Sequence, residues 1–589
     1  MSAITDSQTA STVPPASGST DSAGNAAPPQ PDPALLMQLF ADRAKRDHEA
    51  MTYYAAALAS IMGLFIISHF VRLLVQGTRL QLHQFALSAP ILYVARLFRR
   101  ALLSKMRGLP SVGHGVLATA YLALNIAFIF VNLDSSILPL HLIVGARTGW
   151  LSIANICFTV FLALKNTPLA YLTAWSYERL NSLHQIAGWT TVALIVVHGS
   201  TYSSFFLQQN DFARLRATEE IYGITAGFTM LSVAVVAVSI RRWYYELFYV
   251  LHIFFFVVSL VFTGLHHPTV AERVVIAVGV AAGMWLLDRL VRLIRLCLYS
   301  INNTATIFPL PNGGTRVVLK KSISAKPGEH SFLWIPKIRT FETHPFTITS
   351  AAPFEFVVAS YDGFTRDLHE HAVQNPGAVL RASIEGPYGK IPDPEQYDNV
   401  VLIAGGSGAS FAFGAAQRLL ERPDTGLKRH VSLIWIMKNS AYLDWFLVQL
   451  GALLRAADFS VSLYITNQSG FVNPSTDDQK ASASSDTIAP PGYGPVAEKS
   501  RRGSLDSNST PLEERSGHVG NTQGFPITHG RPDIHALIVD AVDRTPANQS
   551  ILIMGCGPDR LMKQVRNSTT SCIHLNGPSI SLHCEQFGW

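Results

Sequence analysis

Four histidines occur as two pairs with the same internal spacing. His184 and His198 lie 14 residues apart, and so do His252 and His266. In an α-helix, 14 steps of 100° come within about 40° of a whole number of turns, so each pair shares one helix face, with about 21 Å between its members. Imidazole nitrogens bind the iron of hemes that transfer electrons. On parallel helices, the spacing therefore predicts two stacked b-type hemes, one held by His184 and His252 and the other by His198 and His266.

A histidine in a membrane helix can also be an ordinary, hydrogen-bonded polar residue. Four histidines at matched spacing favour iron ligands instead, because ionisable groups inside a membrane are costly and usually functional. His267 has a spacing of 15 from His252 and is rotated off the shared face, so His266 is the predicted ligand.

Long apolar stretches must position these histidines. Hydrophobic residues make up 48% of the 589 residues and charged residues only 15%, and the mean hydropathy is +0.23. About 20 apolar residues cross a bilayer as a helix. We predict seven such helices, although the third is short and the seventh carries Asp288 and Arg289, so six is the alternative. The predicted segments are 53–75, 113–132, 148–164, 185–206, 221–240, 246–265 and 273–294.

The basic residues indicate the orientation of these helices. The loop of residues 77–111 contains no acidic residue and six basic ones, namely Arg79, Arg96, Arg99, Arg100, Lys105 and Arg107. A short basic loop stays in the cytosol. Counting onward, both histidine-bearing helices start in the cytosol and run parallel, and the chain after residue 295 is cytosolic. Because the basic residues lie beside apolar segments, we expect membrane lipid and no nucleic acid as a partner.

The remaining chain divides by composition and pattern. Residues 1–50 are predicted to be a disordered tail and residues 51–298 an all-α membrane bundle. In residues 299–395, short alternating strands broken by Pro and Gly predict an antiparallel β-barrel. In residues 396–589, strands alternate with helices, which predicts an open α/β sheet of the nucleotide-binding type. The polar stretch 468–527 is predicted to be a disordered insertion within that sheet.

Two local motifs suggest binding or modification. The loop "AGGSGAS" follows a predicted strand and opens a helix, so its backbone N–H groups can approach a pyrophosphate. The candidate contacts are Gly405, Gly406, Gly408 and Ser410. In the insertion, "RRGSLDS" places Ser504 after two arginines, which suits a basophilic kinase, although solvated filler is the simpler interpretation.

Together with the histidine spacing, the cytosolic motifs resemble the ferric reductase family of fungal plasma-membrane metalloreductases, which is related to the NADPH oxidases. The resemblance implies a ferredoxin-reductase-like module with FAD in its barrel and NADPH in its α/β domain. The FAD contacts implied are His344, Pro345, Phe346, Thr347, Thr349 and Ser350 of "HPFTITS". A second set near the pyridine nucleotide is Gly386, Tyr388 and Gly389 of "GPYG" and Cys556, Gly557 and Pro558 of "MGCGPD".

Charged and aromatic residues complete the resemblance. Arg531 of "HGRPD" is the implied partner of the adenosine 2′-phosphate. Lys438 stands where relatives usually carry Arg, so it keeps the charge but loses the bidentate fork. Phe587 and Trp589 at the chain end resemble the family's terminal aromatic residue, which lies over the flavin ring.

The activity implied by the resemblance is transmembrane metal reduction. Electrons would pass from cytosolic NADPH to FAD as a hydride, then singly through the inner and outer hemes to Fe(III) or Cu(II) chelates outside, supporting iron and copper uptake. No catalytic base or nucleophile is required. A superoxide-generating NADPH oxidase is the alternative enzyme, and a heme-binding membrane sensor is the non-enzymatic one. The plasma membrane is the expected location, with a vacuolar membrane left open.

Overall fold

The computed structural model describes most of the chain apart from the first 32 residues, the last four residues and several internal stretches. The described residues are 33–77, 89–104, 106, 108–135, 139–173, 175–266, 273–421, 429–467, 519–522, 525–574 and 577–585. The predictions for residues 1–32, Ser504, Phe587 and Trp589 lie outside this range.

Seven helices in the described part of the chain are long and apolar enough to cross a membrane, which confirms the predicted number. They are α1 (Pro33–Gly77), α3 (Val112–Phe130), α4 (Leu140–Ala163), α6 (Tyr177–Gln208), α8 (Thr218–Ser239), α9 (Tyr245–Leu265) and α10 (Arg273–Ser300). Three shorter helices lie between them, namely α2 (Ala89–Leu103), α5 (Leu169–Leu172) and α7 (Phe212–Leu215).

The predicted disordered tail is wrong for residues 33–50, because they form the beginning of α1. Asp47 in this part of α1 accepts a hydrogen bond at 2.7 Å from Arg147 of α4, and both side chains are 1% exposed. Arg147 also donates to the carbonyl oxygens of Phe128 and Val131 at 3.0 and 2.7 Å. A buried ion pair of this kind requires an ordered helix around it. Composition alone does not reveal a partner 100 residues away.

Helix α4 is the centre of the bundle. In α4, 61% of the most apolar stretch is buried, against at most 22% in the other six spanning helices. Asn155 of α4 accepts hydrogen bonds from the hydroxyls of Tyr54 on α1 and Tyr121 on α3. Its amide donates to Asn125 of α3 at 2.8 Å. Because polar groups in hydrocarbon must find partners within the protein, this network fixes α1 and α3 against α4.

The first domain after the membrane helices, called here the barrel domain, is a seven-stranded antiparallel sheet with the order β6-β1-β2-β5-β4-β3-β7. Its strands are β1 (Thr304–Leu310), β2 (Gly314–Leu319), β3 (His330–Trp334), β4 (His344–Ala351), β5 (Phe354–Ala359), β6 (Val379–Arg381) and β7 (Ser383–Tyr388), with helix α11 (Phe364–Gln374) before β6. The two strands at the ends of this order, β6 and β7, are separated in the chain by Ala382 alone. The sheet therefore curls back on itself, in agreement with the predicted barrel.

The second domain after the membrane helices, called here the α/β domain, is a seven-stranded sheet with the order β11-β12-β10-β9-β8-β13-β14. Its strands are β8 (Asn399–Gly405), β9 (His430–Met437), β10 (Phe459–Ile465), β11 (Val519–Thr522), β12 (Phe525–His529), β13 (Ser550–Cys556) and β14 (Ser579–Glu585). Its helices are α12 (Ala409–Leu420), α13 (Leu447–Arg455), α14 (Ile534–Asp543) and α15 (Asp559–Ser571). All neighbouring strands pair in parallel except β11 with β12.

The topology of the α/β domain locates a binding crevice. The chain builds outward from β8 through β9 and β10 and then returns to the other side of β8 with β13. Ligands of open α/β sheets bind at such a switch point, outside the carboxyl ends of the strands. The predicted insertion of residues 468–527 ends too late, because β11 and the start of β12 already belong to the sheet.

Candidate functional site

Helices α6 and α9 bring the four histidines together as two facing pairs. The ring centroids of His184 and His252 lie 6.4 Å apart, and those of His198 and His266 lie 6.3 Å apart. With a metal–nitrogen bond of about 2 Å and a ring centroid about 1.1 Å behind that nitrogen, a metal ion between two imidazoles places their centroids about 6 Å apart. Both separations fit one iron between each pair. The pairing also requires α6 and α9 to run parallel.

Backbone carbonyl groups orient three of the four rings. The Nδ1 atoms of His184, His198 and His266 lie 3.0, 2.8 and 2.7 Å from the carbonyl oxygens of Thr159, Gly145 and Glu219, respectively. A carbonyl oxygen only accepts, so each Nδ1 must donate. Each Nε2 then carries the lone pair that a metal ligand needs. The fourth ring, of His252, packs against Phe248 with its centroid 5.2 Å away.

Two glycines allow the outer pair to approach its neighbouring helices. A Cβ atom added to Gly149 of α4 would lie 2.7 Å from Nδ1 of His198. A Cβ atom added to Gly223 of α8 would lie 2.5 Å from Cε1 of His266. Either contact is too short for a carbon atom, so a larger residue would displace the ring. The outer pair is therefore held from two sides by close backbone packing.

The predicted flavin contacts of "HPFTITS" all lie on strand β4 of the barrel domain. His344, Pro345, Phe346 and Thr347 are partly buried, whereas Thr349 and Ser350 are buried. The ring of His344 stacks on Phe364 at 4.6 Å. The hydroxyls of Thr349 and of Ser331 are buried and have no hydrogen-bond partner among the described residues. Because buried polar groups normally find partners, two such hydroxyls fit a bound group with a polar rim, as a flavin has.

The "GPYG" segment ends β7 and faces the membrane helices. The Tyr388 hydroxyl donates to Glu385, and its ring lies 5.8 Å from that of Tyr177 on α6. A Cβ atom added to Gly389 would lie 3.2 Å from Nδ1 of His330, and Gly386 lies against Ser331. The structure thus places Tyr388 between the barrel domain and the membrane bundle.

The glycine-rich loop and the "MGCGPD" loop meet at the switch point of the α/β domain. Cys556 at the end of β13 is in register with Ala404 of β8, and a Cβ atom added to Gly408 would lie 2.3 Å from the Cys556 carbonyl oxygen. Gly405 packs against Gly557 and Pro558 in the same way. Gly406 shares the turn between β8 and α12. The first turn of α12 therefore lies at the switch point, where its backbone N–H groups can approach a pyrophosphate.

Two residues predicted to contact the nucleotide are already engaged in the fold. The Ser410 hydroxyl is buried and donates to the Val357 carbonyl oxygen of the barrel domain at 3.1 Å. Ser410 thus anchors α12 to the barrel domain. The Cys556 side chain is 3% exposed, and burial raises the pKa of its thiol. Cys556 is therefore a neutral, closely packed side chain and not a thiolate.

Lys438 and Arg531 lie at the carboxyl edge of the same sheet, and both are exposed. Lys438 follows β9 directly, and Arg531 follows β12, with β10 between the two strands. Two strand spacings amount to about 10 Å. Asp533 caps α14 by accepting from the backbone N–H of His535 at 2.8 Å, which fixes the loop that carries Arg531. The two cations can therefore act on one phosphate-bearing ligand.

The sequence did not predict a buried charged cluster beneath the bundle, called here the junction. It joins the membrane helices to the barrel domain and the α/β domain and consists of Lys165, Glu178, Arg179, Arg292, His330, Glu385, His583 and Glu585. Arg292 of α10 donates twice to Glu385 of β7, at 2.6 and 2.9 Å. The Nζ atom of Lys165 lies 3.4 Å above the ring of Phe332.

The second half of the junction connects α6 to β3 and β14. His330 Nε2 lies 2.9 Å from Glu178 Oε1, and Arg179 donates to His583 Nδ1 at 2.7 Å. Since Nδ1 of His583 accepts, its Nε2 carries the proton and faces Glu585 at 3.4 Å. The side chains of His330 and His583 are each 1% exposed.

Electrostatics in the junction follow from this pairing. Burial raises the pKa of Glu385, but the hydrogen bonds and charge of Arg292 outweigh it and hold that pKa below its usual range. Burial lowers the pKa of Lys165 well below its usual value, and the nearby charge of Arg292 adds to the effect. One signal in the sequence could have indicated the junction, namely the charged Glu385 within the otherwise apolar strand "ASIEGPY".

Three family models match this chain in order. The model described as "Ferric reductase like transmembrane component" matches residues 148–263. "FAD-binding domain" matches residues 305–392, and "Ferric reductase NAD binding domain" matches residues 397–570. The membrane bundle, the barrel domain and the α/β domain are thus each matched separately.

The chain is also similar to fungal proteins. "Ferric reductase transmembrane component 3" of Saccharomyces cerevisiae is 25% identical over 501 residues, which is 81% of this chain and 66% of that protein. A "probable cell surface ferric reductase" of Aspergillus oryzae is 28% identical, over 62% of this chain and 54% of that protein. The chain therefore spans between about half and two thirds of the length of these relatives.

A solved structure is a weaker match. The flavohemoglobin of Malassezia yamatoensis gives a TM-score of 0.35 and 15% identity, over 75% of this chain and 97% of that one. The strand orders of the two sheets, and not this likeness, define the fold. The three matching domains and the fungal relatives lead to one conclusion: this chain belongs to the ferric reductase family, with its transmembrane, FAD-binding and NAD-binding parts in that order.

Proposed function

We propose that this chain is a transmembrane metalloreductase that transfers electrons from cytosolic NADPH to Fe(III) or Cu(II) chelates on the opposite side of the membrane. The observation that carries the proposal is the pair of iron-sized gaps between histidines on the same two membrane helices. Both helices continue to the cytosolic edge, where Tyr177 of α6 meets His330 of the barrel domain. One continuous scaffold thus connects the two histidine levels to the FAD-binding domain.

The residues of the chain fit the three groups that this function requires. The histidine pairs would hold two b-type hemes, and the switch point would hold NADPH. Strands β3 and β4, with the buried hydroxyls of Ser331 and Thr349 that have no partner among the described residues, would hold FAD. When bound, NADPH would supply a hydride, and FAD and the hemes would supply a way to pass its two electrons on one at a time. The contribution of the protein is to bind, orient and shield them.

The nucleotide contacts support NADPH as the donor. The first turn of α12 would bind the pyrophosphate, and Lys438 and Arg531 would bind the extra phosphate at the carboxyl edge of the sheet. Arg531 can bind phosphate bidentately, whereas Lys438 acts as a point charge. NADH lacks that phosphate and would leave both cations without a partner.

The direction of transfer follows from the topology. Moving one electron outward across a membrane that is negative inside is favourable by about 2.3 kcal/mol per 100 mV. The relatives are named as ferric, ferric/cupric and cell surface reductases. These names favour metal chelates as acceptors, the plasma membrane as the location, and iron or copper uptake as the physiological role.

The test uses the full chain in liposomes, with NADPH added outside and an impermeant Fe(III) chelate plus a Fe(II) indicator trapped inside. Under anaerobic conditions we expect NADPH-dependent Fe(II) formation in the lumen by those molecules whose cytosolic domains face outward. Superoxide formation in air without anaerobic Fe(II) formation would instead identify an NADPH oxidase. Neither product, with heme retained, would identify a sensor.

A further inference from the structure

Helix α2 (Ala89–Leu103) has an unusual place in the fold. Its 15 residues are too few to cross a bilayer, which takes about 20. It lies between α1, which ends at Gly77, and α3, which begins at Val112, and both of these helices are membrane spans. Both ends of the segment that contains α2 are therefore held at the cytosolic edge of the membrane.

One face of α2 binds the α/β domain. Arg99 donates to the Ser581 hydroxyl on β14 at 3.2 Å, and Arg96 donates to the His574 carbonyl oxygen at 3.2 Å. Leu103 packs against the hydrophobic core that α14, α15 and β13 share. This face thus contacts the domain that binds the nucleotide, at the strand adjacent to β13 and its "MGCGPD" loop.

The opposite face of α2 is apolar and exposed. Val94, Leu97, Phe98 and Leu102 are 48%, 55%, 61% and 38% exposed, respectively. At 100° per residue these four side chains cover about 140° of the helix circumference, which is a typical amphipathic stripe. Arg100 is exposed beside it. A continuous apolar stripe of this kind usually marks an interaction surface.

We propose that α2 is a membrane-surface strap, with its apolar stripe inserted into the cytosolic leaflet and its other face clamping the α/β domain against the membrane. Interfacial helices combine an apolar face with basic residues in this way. Arg100 flanks the stripe, and the segment of residues 77–111 contains no acidic residue, so the charge beside the stripe is complementary to anionic phospholipid headgroups. The occupant of the stripe is therefore the anionic cytosolic leaflet itself.

The strap would make docking of the nucleotide domain depend on lipid composition. In a membrane rich in anionic lipid, α2 is held in the leaflet and the α/β domain stays docked. In a neutral membrane, the strap loosens and the domain separates more often. The consequence for electron transfer rests on the proposed function, whereas the docking itself does not.

The experiment measures hydrogen exchange in α15 and β14 of the full chain in nanodiscs of phosphatidylcholine, with and without phosphatidylserine. The test variant is L97Q/F98Q, and the matched control is L447Q/V448Q, which changes two exposed apolar residues on α13 of the α/β domain. We expect L97Q/F98Q to speed exchange in α15 and β14 several-fold and the control variant to leave it unchanged. We expect phosphatidylserine to slow exchange several-fold in the unmodified protein.

Additional arms separate the possible outcomes. R100Q keeps the stripe and should lose only the response to phosphatidylserine. An unchanged heme spectrum in each variant shows that the bundle is folded. Equal exchange in both lipids and all variants would overturn the proposal. If the protein does not reduce metal chelates but its hydrogen exchange still depends on the lipid, the proposed function is rejected and the proposal for α2 is supported.

Discussion

The histidine pairs in the membrane and the junction beneath them are built in contrasting ways. The pairs come from two helices, repeat at one spacing, and are oriented mainly by backbone carbonyl groups. The junction comes from side chains on α6, α10, β3, β7 and β14 and from Lys165 after α4, and one of its hydrogen bonds joins residues 404 positions apart in the chain. The first arrangement is periodic and local to each helix, so the sequence displays it. The second exists only after three domains have packed together.

The contrast also assigns different tasks to the two regions. Backbone-held imidazoles are rigid, as a site for electron carriers must be. The junction instead consists of buried ion pairs, which are sensitive to the loss of either partner. We therefore expect substitutions in the membrane to remove a carrier, and substitutions in the junction to leave the carriers in place but misalign the domains.

The largest effect is expected for His198→Leu. Leucine cannot bind iron, so the outer site should lose its heme and metal reduction should fall at least about 100-fold, because the electron path across the membrane is interrupted. The matched control is His141→Leu on α4, an exposed histidine without a paired partner at this spacing. If H198L reduces metal chelates at the full rate, or if both variants lose the activity equally, the distinction between ligand histidines and other histidines is wrong.

The next largest effect is expected for Glu385→Gln. It would leave the Arg292 guanidinium buried without its carboxylate, and breaking a buried ion pair typically costs about 3–5 kcal/mol. We expect both hemes to be retained and NADPH-driven heme reduction to slow about 10-fold, as measured by stopped-flow absorbance.

The control for this substitution is Glu370→Gln, in an exposed ion pair with Arg366 of the same domain. Exposed pairs contribute at most about 1 kcal/mol, so E370Q should behave like the unmodified protein. Heme loss in E385Q would show that the junction supports the bundle itself and is not only a docking contact.

A smaller effect is expected for Gly223→Ala. The added methyl group would push the His266 ring from its place, so the outer heme should change its absorbance or midpoint potential, and metal reduction should fall about 3-fold to 10-fold. Gly227 on the same helix is the control, because a Cβ atom added there would lie an ordinary 3.8 Å from Ile195. Identical spectra of G223A and G227A would contradict the close packing around the outer pair.

The smallest effect is expected for Arg531→Ala. Loss of one charge-assisted hydrogen bond of about 1.5–3 kcal/mol should raise the KM for NADPH about 10-fold or more, with little change in kcat or in the KM for NADH. Steady-state kinetics with both nucleotides provide the measurement. An equal rise for NADH would show that Arg531 does not distinguish the two nucleotides.

Much of the fold could be predicted because its signals are periodic. Long apolar runs predicted the seven membrane-spanning helices, and short alternating strands predicted the barrel domain. Strands that alternate with helices predicted the α/β domain. The beginning of α1 was not predicted, because Asp47 is ordered by Arg147 of a distant helix. The engagement of Ser410 with Val357 and the junction were missed for the same reason, since each depends on contacts between domains.

The most direct test of the central claim is heme analysis of the purified full chain. We predict two low-spin b-type hemes per chain, both reduced by NADPH in a reduced-minus-oxidised spectrum, and one heme fewer when His198 and His266 are both replaced by leucine. A heme content of one or none in the unmodified chain would contradict the account. An unchanged content and spectrum after replacement of all four histidines would contradict it equally.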